Sequence, residues 1–263
     1  MRSLVASLLV LGAATSVDAQ RVVLELRPRF GDTVWIRLDQ STEVSVSRRG
    51  VMSRPTVTTL SMFSRAIVEV STAASAMILA ITDSVDVASN DKAAAATVSE
   101  TERQLQGRQM RLKLQPDGTV SVVDDDANVP QKVNELVSLM PASFPRGSVA
   151  IGDTWLREMP IPAAGSGKPM VVKAAIRLDS VSTDLEIAYL TLRGSVQPMT
   201  AVAPSEVNGS VNGSMTVDRR RGWLSASRFS IQLRTLVPSS IAGEPPLQYL
   251  MRITQQMKVL DKR

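Results

Sequence analysis

The chain has 263 residues, a formal net charge of +5, 44% hydrophobic residues, 3% aromatics, and neither histidine nor cysteine. Without histidine there is no Ser-His-Asp triad, no imidazole proton shuttle and no histidine-ligated metal. Without cysteine there is no disulfide, no thiol nucleophile, no thiolate-held iron–sulfur cluster and no lipidated cysteine anchor.

The first 19 residues read as a secretory signal peptide. Arg2 supplies the positive start, Leu4 to Ala14 the apolar run, and Val17-Asp18-Ala19 the small residues before a cut. The run is shorter than the roughly 18 residues of a spanning helix. The expectation is a soluble exported chain from Gln20 to Arg263, periplasmic or extracellular, forming a single β-rich domain. The basic clusters Arg48-Arg49, Arg219-Arg220-Arg221 and Lys262-Arg263 are small, separated and free of interleaved aromatics. That argues against nucleic acid as a partner and leaves weak attraction to anionic membrane surfaces.

Period-two alternation then dominates. Strands are predicted at Val22–Leu26, Asp32–Leu38, Thr42–Ser47, Thr56–Val70, Ala76–Val87, Arg108–Gln115 and Thr119–Val123. A second set follows at Val171–Leu178, Leu185–Leu192, Gly209–Val217, from Trp223 and from Met251. In the strand from Trp223, the face Trp223, Ser225, Ser227, Phe229, Ile231, Leu233 opposes Leu224, Ala226, Arg228, Ser230, Gln232, Arg234. Turn signals separate the strands at Pro116-Asp117-Gly118, Thr183-Asp184, Asn208-Gly209 and Arg221-Gly222. The stretches Ala88–Gln106, Pro160–Lys168, Pro198–Asn208 and Pro238–Pro246 read as loops.

One segment has helical spacing: Val129, Val133, Leu136, Val137 and Met140. Asn128 is its N-cap, Pro130 sits in its first turn and Pro141 ends it. An amphipathic helix at about 129–140 therefore connects two halves, 20–124 and 145–263. Those halves share three matches in the same order. Gly31-Asp32-Thr33-Val34-Trp35 resembles Gly152-Asp153-Thr154-Trp155, Arg54-Pro55 parallels Lys168-Pro169, and Gly107–Val120 parallels Gly213–Leu224. The fold class is mainly β: an antiparallel barrel, half-barrel or sandwich of about ten strands with one helix.

Chemical motifs are thin. Asp124, Asp126, Asn128 and Glu135 take four positions of a calcium loop, but Val129 stands where a sharp turn needs glycine. Gly165-Ser166-Gly167-Lys168 lacks the rest of a phosphate loop, and Ser89-Asn90-Asp91-Lys92 lacks the companions of an acyl-serine site. The formal sequons at Asn208 and Asn212 read as turns. Aromatic girdles of a membrane barrel are missing. Trp35, Trp155 and Trp223 stand near strand starts and are expected to close the ends of the sheet. Methionine, 12 in all, outnumbers the aromatics and would fill a core or line an adaptable apolar surface.

The segment Phe144-Pro145-Arg146-Gly147-Ser148-Val149-Ala150-Ile151-Gly152-Asp153-Thr154-Trp155 resembles bacterial extracytoplasmic domains of unknown function with a P…VxGDxW signature. Such families are similar in outline to curved-sheet lipoprotein carriers of the envelope. The resemblance implies no chemistry and carries over no site residue. The expected function is non-catalytic binding in the periplasm or envelope, of a hydrophobic or lipid-like ligand. The alternatives are an interaction subunit docking on a membrane complex and a carboxylate-dependent hydrolase. No catalytic or metal-binding residue is singled out, and no cofactor is expected.

Overall fold

The computed structural model describes residues 21–123, 144–161, 170–198, 207–237 and 245–260. The signal segment, the helix at 129–140, the acidic run with Asp124, Asp126, Asn128 and Glu135, and the Gly165–Lys168 stretch lie outside these residues.

Fourteen strands are described: β1 (Arg21–Val23), β2 (Thr33–Arg48), β3 (Val51–Met52), β4 (Thr56–Ser71), β5 (Ala76–Ser89), β6 (Gln109–Leu114), β7 (Val120–Val122), β8 (Ser148–Ala150), β9 (Thr154–Ile161), β10 (Met170–Val181), β11 (Ile187–Pro198), β12 (Val207–Asp218), β13 (Trp223–Val237) and β14 (Leu247–Leu260). One antiparallel sheet of 12 strands runs β7-β6-β5-β4-β2-β14-β13-β12-β11-β10-β9, with β3 folded back on β2. Its terminal strands do not pair with each other, so the sheet is open. The 16-residue strands β2 and β4 span roughly 50 Å at about 3.3 Å per residue.

The sheet has two unlike ends. Four tight turns lie where β2 begins, 72–75, 115–119, 182–186 and 219–222, while the two-residue turn Arg49-Gly50 into β3 lies at the other end. The longer connections lie at the other end, where β2 finishes. At the turn end, β1 and β8 form a separate two-stranded ladder, with Val22 opposite Val149. Leu26 N–H donates to Pro116 O at 2.8 Å, and Arg219 Nε donates to Val23 O at 3.1 Å. The strap around residues 21–28 thus touches the hairpin next to one edge and a turn in the opposite wing. Val22, Leu24 and Leu26 join one core with Leu112 and Leu114 on one side and Ile176, Leu190 and Val217 on the other. The inner face therefore wraps round the strap as a half-barrel.

Arg219 holds three parts of this end together. Its side chain donates to Val23 O and Leu185 O, and its backbone N–H donates to Glu186 O at 2.7 Å. Arg219→Met keeps the stem and removes the guanidinium. It should cost about 1.5–3 kcal/mol, the range for hydrogen bonds to charged groups. Urea unfolding would check this, and a loss below about 0.5 kcal/mol would mean that water replaces the strap contacts.

The two Gly-Asp-Thr segments form the same turn. Gly31 and Gly152 both have positive φ, 80° and 93°, where an L side chain is strained. Asp32 accepts from Arg29 N–H at 3.0 Å, and Asp153 from Ala150 N–H at 2.8 Å. Gly31 N–H donates to Val68 O and Val68 N–H to Asp32 O; Gly152 and Leu178 repeat this with Asp153. A bulge follows at Val68/Val70 in one case and at Leu178/Ser180 in the other. The tryptophans that strengthen the sequence match are not equivalent. Trp155 pairs with Ile176 in the place where Val34 pairs with Ala66.

Three sequence expectations are corrected. The strands read separately at Asp32–Leu38 and Thr42–Ser47 are one continuous strand, β2. Asn208-Gly209 and Asn212-Gly213 are not turns; both lie within β12. The stretch Ala88–Gln106 is not all loop: after a short 3-10 turn at Lys92–Ala94 it forms helix α1 (Ala95–Leu105). The helix has a purpose at the sheet edge. β6 pairs only with Ala76–Ile81 of β5. Beyond that, Glu102 accepts from Val87 N–H at 2.8 Å and Gln106 from Val85 N–H at 3.0 Å. Side chains of α1 thus satisfy edge groups that would otherwise invite another strand. No helix among the described residues is long and apolar enough to cross a membrane.

Candidate functional site: the inner face of the half-barrel

Each long strand turns alternate residues inward. Near the turn end these residues are fully buried: Ile176, Leu178, Ala188, Leu192 and Val217 have no exposed surface. That region is a filled core. Among the described residues seven methionines alternate inward on their strands: Met62, Met110, Met159, Met170, Met215, Met251 and Met257. Of these, Met170, Met215 and Met257 are buried. Trp223 is buried at the start of β13, while Leu156 of β9 stands outward and 83% exposed.

The inner face changes character halfway up β2. Register places Gln40 between Gln255 of β14 and Leu60 of β4. The next inward row holds Ile231, Ile253, Thr42 and Thr58, and the row above it Leu233, Met251, Val44 and Thr56. From Gln40 upward, the β2, β4 and β14 members of these rows are half-buried, apart from Gln255, which is 8% exposed. Two carboxamides thus sit side by side in an apolar wall. Gln40 Nε2 makes a long 3.4 Å contact with Thr42 Oγ1, and its Oε1 is shut off from solvent without a hydrogen-bond partner. Ser64 Oγ, lower on β4, is also unpartnered. A buried acceptor without a donor costs about 1–3 kcal/mol. The arrangement suits a ligand with an apolar body and a polar end that can donate a hydrogen bond.

Near this wall neighbouring strands approach closely where side chains are missing. Gly194, Gly209 and Gly213 fall in three successive inward rows of β11 and β12. A Cβ on any of them would overlap a carbonyl oxygen of the neighbouring strand, from Lys173, Gln232 or Arg228. Glycine is the residue that permits such an approach.

Among the described residues two carboxylates are shifted, and both are lowered. Burial pushes Asp39 upward, but hydrogen bonds from Arg37 and Ser61, with the Arg37 charge, outweigh it and hold the group below the usual carboxylate range. Arg37 also stands over the Phe63 ring at 5.3 Å. Asp184 is lowered by the Ser182 hydroxyl and the Glu186 N–H in a turn. Both shifts run opposite to what a general acid requires. Ser89 to Lys92 forms a cap: Asp91 accepts from Ala93 N–H, and Ser89 Oγ accepts from Asp91 N–H.

No family model matches the chain, and no curated protein does. Among solved structures, lipovitellin aligns with a TM-score of 0.55 over 89% of this chain, at 9% identity. The likeness is one of fold, and the match spans 25% of the lipovitellin chain. An outer membrane channel from Pseudomonas putida F1 covers 89% of this chain and 98% of its own at 9% identity, with a TM-score of 0.22. A DUF1329 family protein from Desulfovibrio piger covers 85% of both chains at 8% identity, with a TM-score of 0.15. Those two scores are too low to bear on the argument.

Proposed function

We propose that this is an exported, non-catalytic binding protein of the cell envelope, whose ligand is apolar and lipid-like and lies against the upper inner face of the half-barrel. The observation that carries this reading is the half-buried wall of Val44, Leu60, Met62, Met251 and Ile253 around the Gln40–Gln255 pair. The wall is apolar enough to draw a hydrocarbon chain out of water, at about 0.8 kcal/mol per methylene. The unpartnered Gln40 acceptor favours a polar end with a hydroxyl or amide hydrogen. Methionines let the wall adjust to chains of different shape. The lipovitellin structure is described in terms of lipid–protein interactions, which supports an apolar cargo for a sheet of this shape. The layout of residues 1–19 supports the address, and the resemblance to envelope carriers agrees with it.

The test is native mass spectrometry and organic extraction of the full chain purified from its own export compartment. A lipid-like molecule should co-purify. Leu60→Arg, which puts a charge into the wall, should lower its occupancy by about tenfold or more, since an unpaired charge in an apolar site costs several kcal/mol. Gln40→Leu should leave the free protein as stable as before or more so, yet weaken retention of any ligand with a hydroxyl or amide head. Wild-type protein that is free of ligand and binds no fatty alcohol, fatty amide or phospholipid would sink the reading.

A further inference from the structure

Several outward cations of the sheet are ion-paired: Arg37 with Asp39 at 2.8 Å, Arg65 with Asp83 at 2.8 Å, Arg111 with Glu69 at 3.0 Å and Lys173 with Glu158 at 3.3 Å. On β11–β14, Arg193, Arg228 and Arg252 point outward; among the described residues none makes an ion pair, although Arg252 stands opposite Glu43 of β2 in the register. All three line one open depression of about 510 Å³. Its floor is the β12 backbone at Gly213, and between the arginines lie Asn212, Ser214 and Ser230.

Register explains the convergence. Arg193 shares a row with Asn212 and Ser230. Arg228 lies one row toward the turn end and Arg252 one row away from it. Strand spacing of about 4.8 Å and a two-residue rise of about 6.8 Å put their Cα atoms about 12–16 Å apart, around small polar residues. Three guanidiniums can then reach one oxyanion, while hydroxyls and amides at the floor exchange hydrogen bonds with sugar hydroxyls. The volume suits a few sugar units.

We infer that this depression binds an anionic saccharide, whose phosphate, sulfate or carboxylate group sits between Arg193, Arg228 and Arg252. The site is on the opposite face from the apolar wall and does not rest on the function proposed above. Isothermal titration of the full chain with a sulfated tetrasaccharide, at low and at physiological salt, tests it. The sulfated tetrasaccharide should bind, with affinity falling as salt rises. An uncharged tetrasaccharide of equal length should bind about tenfold more weakly or worse, as should the sulfated one to the R193Q/R228Q/R252Q variant. R234Q, on the same face but outside the depression, should change affinity less than about twofold. Single substitutions, each costing about threefold, decide the matter if the triple variant fails to fold. The inference is overturned if the sulfated tetrasaccharide does not bind, or if R234Q costs as much as R228Q. It is equally overturned if vesicles of anionic phospholipid bind through these arginines while the saccharide does not.

Discussion

Gly194→Val is expected to lose about 3 kcal/mol or more, the upper end of the range for overpacked interiors. The reason is local. The added Cβ would overlap the Lys173 carbonyl oxygen and crowd the Ala174 Cα on β10. Both are backbone atoms, so no side-chain rotation relieves the overlap. Ala174, the residue opposite, is itself small and fully buried, which leaves no slack on that side. The two strands would have to separate, and the close approach of β11 to β10 would be lost. Gly31→Ala is the natural control: nothing lies within 4 Å of its Cβ position, and only its positive φ opposes the change. That should cost about 1–2 kcal/mol. Denaturant unfolding of both variants gives the comparison. Equal, small losses would show that the close approach of the strands does not depend on the missing side chain.

Leu178→Ala should cost about 2–5 kcal/mol, as for other large-to-small changes in a packed interior. Leu178 has no exposed surface, and its backbone exchanges hydrogen bonds with the Gly152-Asp153 turn. Alanine keeps those bonds, so the loss measures packing alone. Calorimetry or urea unfolding reads it directly. A loss under about 1 kcal/mol would mean that the turn end collapses round the gap, and that this core is looser than its burial implies.

Much of the fold is legible in the residues because antiparallel strands with one buried face must alternate. The Met110-Leu112-Leu114 face is where period two puts it, and so are the two faces of β13 from Ala226 onward; before that a bulge opposite Thr216/Val217 brings Leu224, read as outward, onto the core side. The Gly-Asp-Thr likeness marks two turns built on the same hydrogen bonds. The failures are equally instructive. Asn-Gly is the strongest local signal for a hairpin, yet in β12 the glycines serve a long-range need, the close approach of β13. Helix α1 buries only Leu105, so it has almost no apolar stripe to read. Its signals are the Asp91 cap and the run Ala93–Ala96. The candidate sites are harder still. Gln40 and Gln255 are neighbours only because β2 pairs with β14. Arg193, Arg228 and Arg252 are each an ordinary outward residue in their own strand, and only the register gathers them.

The central pairing of β2 with β14 also governs how the chain can reach this structure. The strands from β4 to β7 and from β9 to β14 each pair with the next in order. These meanders close short loops and can form early. The seam between them joins Trp35 to Leu260 and Ser47 to Gln248, and must wait until nearly the whole described chain has been delivered. Closing so long a loop is slow compared with hairpin formation. Until it closes, two long unpaired edges face solvent in the middle of what will become one sheet. A chain emerging start-first would pass through this exposed intermediate every time, so a holding chaperone that masks strand edges would raise its folding yield more than one that masks apolar side chains.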